Sequence, residues 1–148
     1  MIKFLKTCSV YRRPEGYYVF GYMRTDYGSV GQPPVTKTPL TTTPLEIGDV
    51  ALGTLANVSG EVVKEVNLGQ LVAAFRAQLK NVGFRNVAAF EREASVASVE
   101  WDGACYKVVS YRKDQQDINM ATGSYQFAPT VGREELGKAI LASLENVF

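Results

Sequence analysis

Carboxylates, amines, phenols and two thiols are the groups with which this sequence could do chemistry, for its 148 residues include no histidine. Without imidazole, the usual general base near neutral pH and the commonest metal ligand are both missing. Nucleophile–histidine schemes and histidine–metal centres are thereby excluded within the chain. Chemistry built on Glu, Asp, Lys or Tyr stays open. The acids Glu61, Glu65, Glu91 and Glu93 are scattered, however, and linear sequence brings no two of them to one cleft. There is no Walker A loop, no dinucleotide-binding glycine fingerprint and no metal-ligand spacing. The expectation is a protein that is not an enzyme, with no catalytic residue, no cofactor and no metal.

Recognition is the remaining use for polar and aromatic side chains. The run Lys113-Asp114-Gln115-Gln116-Asp117 reads as a charged loop tip. Asp114, Gln116 and Asp117 there would pair with lysines and arginines of a basic partner. Asp26 and Tyr27, next to Arg24, form a second candidate of the same kind. Tyr18, Phe20 and Tyr22 alternate along one strand face, with Arg12, Arg13 and Arg24 nearby. That stripe suits either a protein interface or, as the alternative, stacking of single-stranded RNA bases. Gly16-Tyr17-Tyr18-Val19-Phe20 departs from the RNA-recognition pattern, having no small residue between its aromatics. Trp101 and Tyr125 read as core residues, although both types are enriched at interface centres.

The elements that carry these residues follow from periodicity. Residues Ile2 to Arg24 read as a hairpin, turning at Pro14-Glu15-Gly16. Residues 31–46 hold Pro33, Pro34, Pro39 and Pro44 among threonines, which predicts an extended surface crossing within one domain. Asp49 to Val58 is predicted as a short helix capped by Asp49. Leu68, Leu71, Val72, Phe75, Leu79 and Val82 form an apolar stripe, so Leu68 to Val82 is the clearest helix, capped by Asn67 and ended by Gly83. Val87 to Phe90 reads as a short strand. Ser95 to Trp101 and Ala104 to Arg112 alternate about a two-residue turn at Asp102-Gly103. Ala121 to Ala128 is a further strand. Leu136, Ile140, Leu144 and Val147 recur at helical spacing, with Ala139 and Ser143 beside them. The order predicts an α+β fold, a single domain with about three helices on a mostly antiparallel sheet.

Two glycines stand out. Gly53 and Gly137 each follow a leucine inside a predicted helix, and a proline precedes each step at Pro44 and Pro129. Glycine there costs about 1 kcal/mol relative to alanine. Its presence implies close approach of another backbone rather than a phosphate cradle.

Composition bounds the partners. Sixteen basic and fifteen acidic residues leave a formal charge of +1, so no global field drives the chain toward nucleic acid or anionic lipid. Met1 to Lys6 lacks the apolar core of a signal peptide, and no apolar run nears the roughly 20 residues of a membrane span. Cys8 and Cys105 read as reduced thiols. A soluble cytoplasmic protein is expected.

The segment Glu134-Glu135-Leu136-Gly137-Lys138-Ala139-Ile140-Leu141-Ala142-Ser143-Leu144 resembles the C-terminal helix of bacterial contact-dependent growth inhibition immunity proteins, and Pro44 to Asn57 resembles the first helix of the same group. The resemblance implies a cytoplasmic protein that binds the cognate toxin domain, often a nuclease, and blocks its active site or substrate groove. It carries over no catalytic residue. The partner-binding candidates remain Tyr18, Tyr22, Arg24, Asp26, Tyr27, Asp114, Gln116 and Asp117.

Overall fold

Alternating apolar residues on the central strands give the sheet a core on each face, and the helices divide between the two. The structure, a computed structural model, describes residues 5–113 and 119–145. Six strands, β1 (Lys6–Arg13), β2 (Gly16–Thr25), β3 (Gly28–Thr38), β4 (Ser95–Trp101), β5 (Tyr106–Lys113) and β6 (Asn119–Phe127), form one sheet in the order β3-β2-β1-β4-β5-β6. Every neighbouring pair is antiparallel. Four helices pack on it: α1 (Pro44–Ala56), α2 (Leu68–Asn81), α3 (Val87–Glu91) and α4 (Arg133–Glu145). The fold is α+β.

On the first face, Cys8, Val10, Val19, Ala97, Val99 and Val108 meet Ile47, Ala51 and Leu55 of α1 and Leu136, Ile140 and Leu144 of α4. The spacings i, i+4 and i+8 on both helices put these residues on one stripe. On the second face, Tyr11, Tyr18 and Phe20 lie under α2 and α3 with Leu79 and Phe90. Phe90 is the hub of that cluster, its ring 4.8 Å from Tyr11, 5.4 Å from Tyr18 and 5.1 Å from Phe84. Burying such a ring contributes about 1.5–3 kcal/mol. Arg13 ties α3 to the first hairpin. Its guanidinium donates to the carbonyl oxygens of Phe90 (2.7 Å) and Arg92, pairs with Glu15 and lies over the Phe84 ring.

The chain is built twice. The order β-β-β-α occurs as β1-β2-β3-α1 and again as β4-β5-β6-α4. Ser9 and Ser98, Tyr22 and Tyr111, Gly48 and Gly137, and the first residues of α1 and α4 all lie 89 positions apart (98 − 9, 111 − 22, 137 − 48, 133 − 44). Ser9 faces Ser98 in the β1–β4 register, so a pseudo-twofold axis passes between them. The same axis relates α1 to α4. An added Cβ on Gly48 would sit 2.0 Å from the Arg133 carbonyl oxygen, and one on Gly137 would sit 1.7 Å from that of Pro44. The two glycines let the helix backbones touch. Residues between the repeats, including α2 and α3, break the symmetry by covering mainly the first repeat's share of the second face, with Val96 of β4 at the margin of the cluster.

Several sequence expectations are corrected. Residues 31–46 do not form a free crossing: β3 runs through residue 38 as the sheet edge, and α1 begins at Pro44. Prolines are tolerated at an edge, and the β2–β3 register shifts between Val19 and Gly21, opposite Pro33 and Pro34. Helix α1 starts five residues before Asp49. Its cap is Thr43, whose hydroxyl accepts from Glu46 N–H at 3.2 Å while Thr43 N–H donates to Glu46 at 3.1 Å. Asp49 instead pairs with Arg133 at 3.0 Å. Val87 to Phe90 is helical, not a strand, because the Asn86 side chain caps it by accepting from Ala89 N–H at 2.8 Å. The β4–β5 turn spans four residues rather than two. The Asp102 carboxylate accepts from the N–H groups of Cys105 and Ala104, both at 2.8 Å, and these bonds lower its pKa. Gly53 has open space around it, so the close approach inferred there belongs to Gly48. The Asn67 cap on α2 is present, its side chain accepting from Gln70 N–H. Both cysteines are free. Val147 lies outside the described residues.

Candidate functional site

Where α2 and α3 stop, the second face of the sheet is open. A groove of about 320 Å³ lies there, lined by Thr7, Ser9 and Tyr11 of β1, Tyr22 of β2, Ser29 of β3, Val96, Ser98 and Glu100 of β4, and Tyr111 of β5. Period-two alternation puts all of them on one face. The register brings Ser9 beside Ser98 at the centre.

Two matching hydrogen bonds organise its floor. Ser9 Oγ lies 2.9 Å from the Tyr22 hydroxyl, and Ser98 Oγ lies 3.2 Å from the Tyr111 hydroxyl. They are the same bond in the two repeats. Burial raises the pKa of Tyr22 and pushes that of Tyr11 far above the usual phenol range, so both hydroxyls stay protonated. Glu100 is the one acid among the lining residues. Its half-burial raises its pKa, against a smaller opposing effect of Lys107, which faces it across the β4–β5 ladder. Thr7 Oγ1 is buried and makes no hydrogen bond among the described residues. A buried hydroxyl left unpaired costs about 1–3 kcal/mol, which an incoming polar group would relieve.

These groups suit binding. Hydroxyl donors and acceptors sit on a fixed sheet with one carboxylate at the side. Among the described residues no three His, Cys, Asp or Glu side chains come together as a metal site.

The sequence-predicted residues scatter about this groove. Tyr22 lines it. Arg24 is half-buried two residues further along β2, and its guanidinium also reaches the Gly60 carbonyl at 3.5 Å. Asp26 and Tyr27 are exposed in the β2–β3 turn, with Tyr27 71% accessible. Tyr18 is corrected to a core residue. It is 1% accessible, with Phe84 and Phe90 edge-on to its ring at 5.4 Å each, because α2 and α3 cover that end of the stripe. Phe20, at 3%, is covered the same way. The face proposed for stacking RNA bases is therefore filled by the protein's own helices. Asp114, Gln116 and Asp117 lie outside the described residues.

Thr7, Ser9, Ser98, Glu100 and Tyr111 were not singled out from sequence. Their signal was present: Ser9-Val10 recurs as Ser98-Val99, each followed after the same interval by a Val-x-x-Tyr segment, Val19 to Tyr22 and Val108 to Tyr111.

No protein-family model matches the chain, and no curated protein matches it by sequence. Solved structures do match in fold. A protein of unknown function from Neisseria meningitidis superposes with a TM-score of 0.75 at 14% identity, over 97% of this chain and 95% of the other. A chain of the CdiA-CT/CdiI toxin and immunity complex from Yersinia pseudotuberculosis superposes with a TM-score of 0.75 at 11% identity, over 97% of each chain. At such identities the likeness is one of fold. Among the described residues no helix is long and apolar enough to cross a membrane.

Proposed function

We propose that this chain is an immunity protein that binds a cognate contact-dependent growth inhibition toxin domain and neutralises it. The observation that carries the reading is the shared architecture, end to end, with a chain of a toxin and immunity complex. The open half of the second sheet face supports it. One repeat is capped by α2 and α3, while the matching surface of the other, with the hydroxyl-lined groove beside it, is left for a partner. Exposed Tyr27 and Asp26 at the near end extend that surface. The protein acts by occupancy, not by turnover: it covers the active site or substrate groove of the toxin, a nuclease in this reading, in the cytoplasm.

The test is co-expression with the toxin domain encoded by the adjacent gene, followed by co-purification and a protection assay. A stable complex at roughly micromolar concentration or below is expected. Glu100→Gln combined with Tyr27→Ala should weaken it at least about tenfold without lowering the melting temperature of the free protein near neutral pH. Absence of any complex rejects the immunity reading. A complex that ignores both substitutions keeps the reading but moves the interface away from the groove.

A further inference from the structure

The outer side of α2 carries a second recognition surface. Its apolar stripe divides. Phe75 and Leu79 face the core, Phe75 with its ring 4.7 Å from Phe20, whereas Leu68 remains 36% accessible. Leu68 and Val72 open instead onto a groove of about 880 Å³ between α2 and α3, whose opposite wall includes Val87, also 36% accessible. An amphipathic stripe half left in water is a surface awaiting a cover.

Charge says what kind. Arg76, Lys80 and Arg85 line the same groove and are all exposed. None of the three makes an ion pair or a side-chain hydrogen bond with another described residue. From Leu68 through Phe90 the sequence contains no Asp or Glu, although the whole chain is nearly neutral. Three unneutralised cations around an aliphatic floor complement a segment with an apolar stripe and acidic flanks. α2 is 14 residues long, about 21 Å, which gives the longer wall of the groove the length of three to four turns of a partner helix. A nucleic acid would use the cations but would find no aromatic ring among the lining residues on which to stack its bases.

We infer that the α2–α3 groove docks an acidic amphipathic helix of a protein partner, seated on Leu68, Val72 and Val87 and held by Arg76, Lys80 and Arg85. This site is separate from the sheet groove and does not rest on the immunity reading.

The test uses the full chain and three fluorescent probes: a model amphipathic helical peptide with a leucine stripe and glutamate flanks, the same peptide with lysine flanks, and a single-stranded oligothymidylate. The glutamate peptide should bind, and its affinity should fall as salt rises from about 50 to about 500 mM, since exposed ion pairs are screened. The triple variant Arg76→Glu, Lys80→Glu, Arg85→Glu should lose at least about tenfold in affinity for it. The single variant Val72→Ser should also weaken binding, which a purely electrostatic contact would not show. All these positions are at least partly exposed, and an unchanged melting curve confirms that the variants fold. The inference is overturned if the glutamate peptide does not bind, if the lysine peptide binds as tightly, if the oligothymidylate binds more tightly, or if charge reversal leaves the glutamate peptide unaffected.

Discussion

Replacing Gly137 with alanine would place a methyl carbon 1.7 Å from the Pro44 carbonyl oxygen and 2.5 Å from its carbonyl carbon. Both are backbone atoms at the start of α1, tied into the helix by its capping box, so no side chain can rotate aside. Relief requires the α1–α4 crossing to open by more than an ångström, against the apolar contacts of Ile47, Ala51, Leu136 and Ile140. Overpacking costs roughly 1–3 kcal/mol, and a rigid neighbour puts this case near about 3. Alanine's better helix propensity offsets about 1 kcal/mol of that. The net expectation is a loss of about 2 kcal/mol, or a melting temperature lower by about 4–8 °C for a chain of this size. Gly53 is the internal control, since it also follows a leucine in a helix but has nothing within 4 Å of its would-be methyl. Gly53→Ala should raise stability by up to about 1 kcal/mol. Urea unfolding of the two variants beside the parent measures both. A Gly137→Ala protein as stable as the parent, or two substitutions of the same sign, would refute the backbone-contact argument.

Two further outcomes follow from burial. Cys8 is fully buried, its thiol pushed up to about 12 by desolvation, whereas Cys105 is half-exposed in the β4–β5 turn. Iodoacetamide at mildly alkaline pH should alkylate Cys105 in the native protein and reach Cys8 only in denaturant, as read by peptide mass; equal native rates would contradict the packing. Glu100 has its pKa raised by burial in the sheet groove, so its contribution to stability is present below the ordinary carboxylate range and lost as pH rises through its folded value. Glu100→Gln should accordingly match the parent in melting temperature in acid and equal or exceed it near neutral pH. A glutamine variant clearly less stable at neutral pH would mean that attraction to Lys107 outweighs desolvation.

Local chemistry in the sequence determined much of this protein. Alternation set which residues of β1, β2, β4 and β5 share a face, and the 3.6-residue stripes located α2 and α4. Asn67 declared the start of α2 because a cap needs only a side-chain oxygen and an N–H three residues on. The α1 boundary was equally legible in Thr43-Pro44-Leu45-Glu46, a capping box with proline at the first helical position, yet the prolines before it pointed to irregular chain. For β3, proline content argued against a strand, and only edge placement made it compatible.

The candidate site required the tertiary structure. Alternation put Tyr18, Phe20 and Tyr22 on one face but could not say that α2 and α3 would cover the first two and spare the third. That choice depends on where a segment between the repeats lands, and no local spacing encodes it. The echo around Leu-Gly was visible, but its true partner, Gly48, was not, because a close approach is a property of two backbones that meet only when both repeats have folded. Ser9 and Ser98 are ordinary residues in their own strands. They become the centre of a groove because antiparallel pairing of β1 with β4 sets matching positions of two copies against each other. Sequence sets what each element can bury; which surface stays open is decided by how many elements compete to cover it.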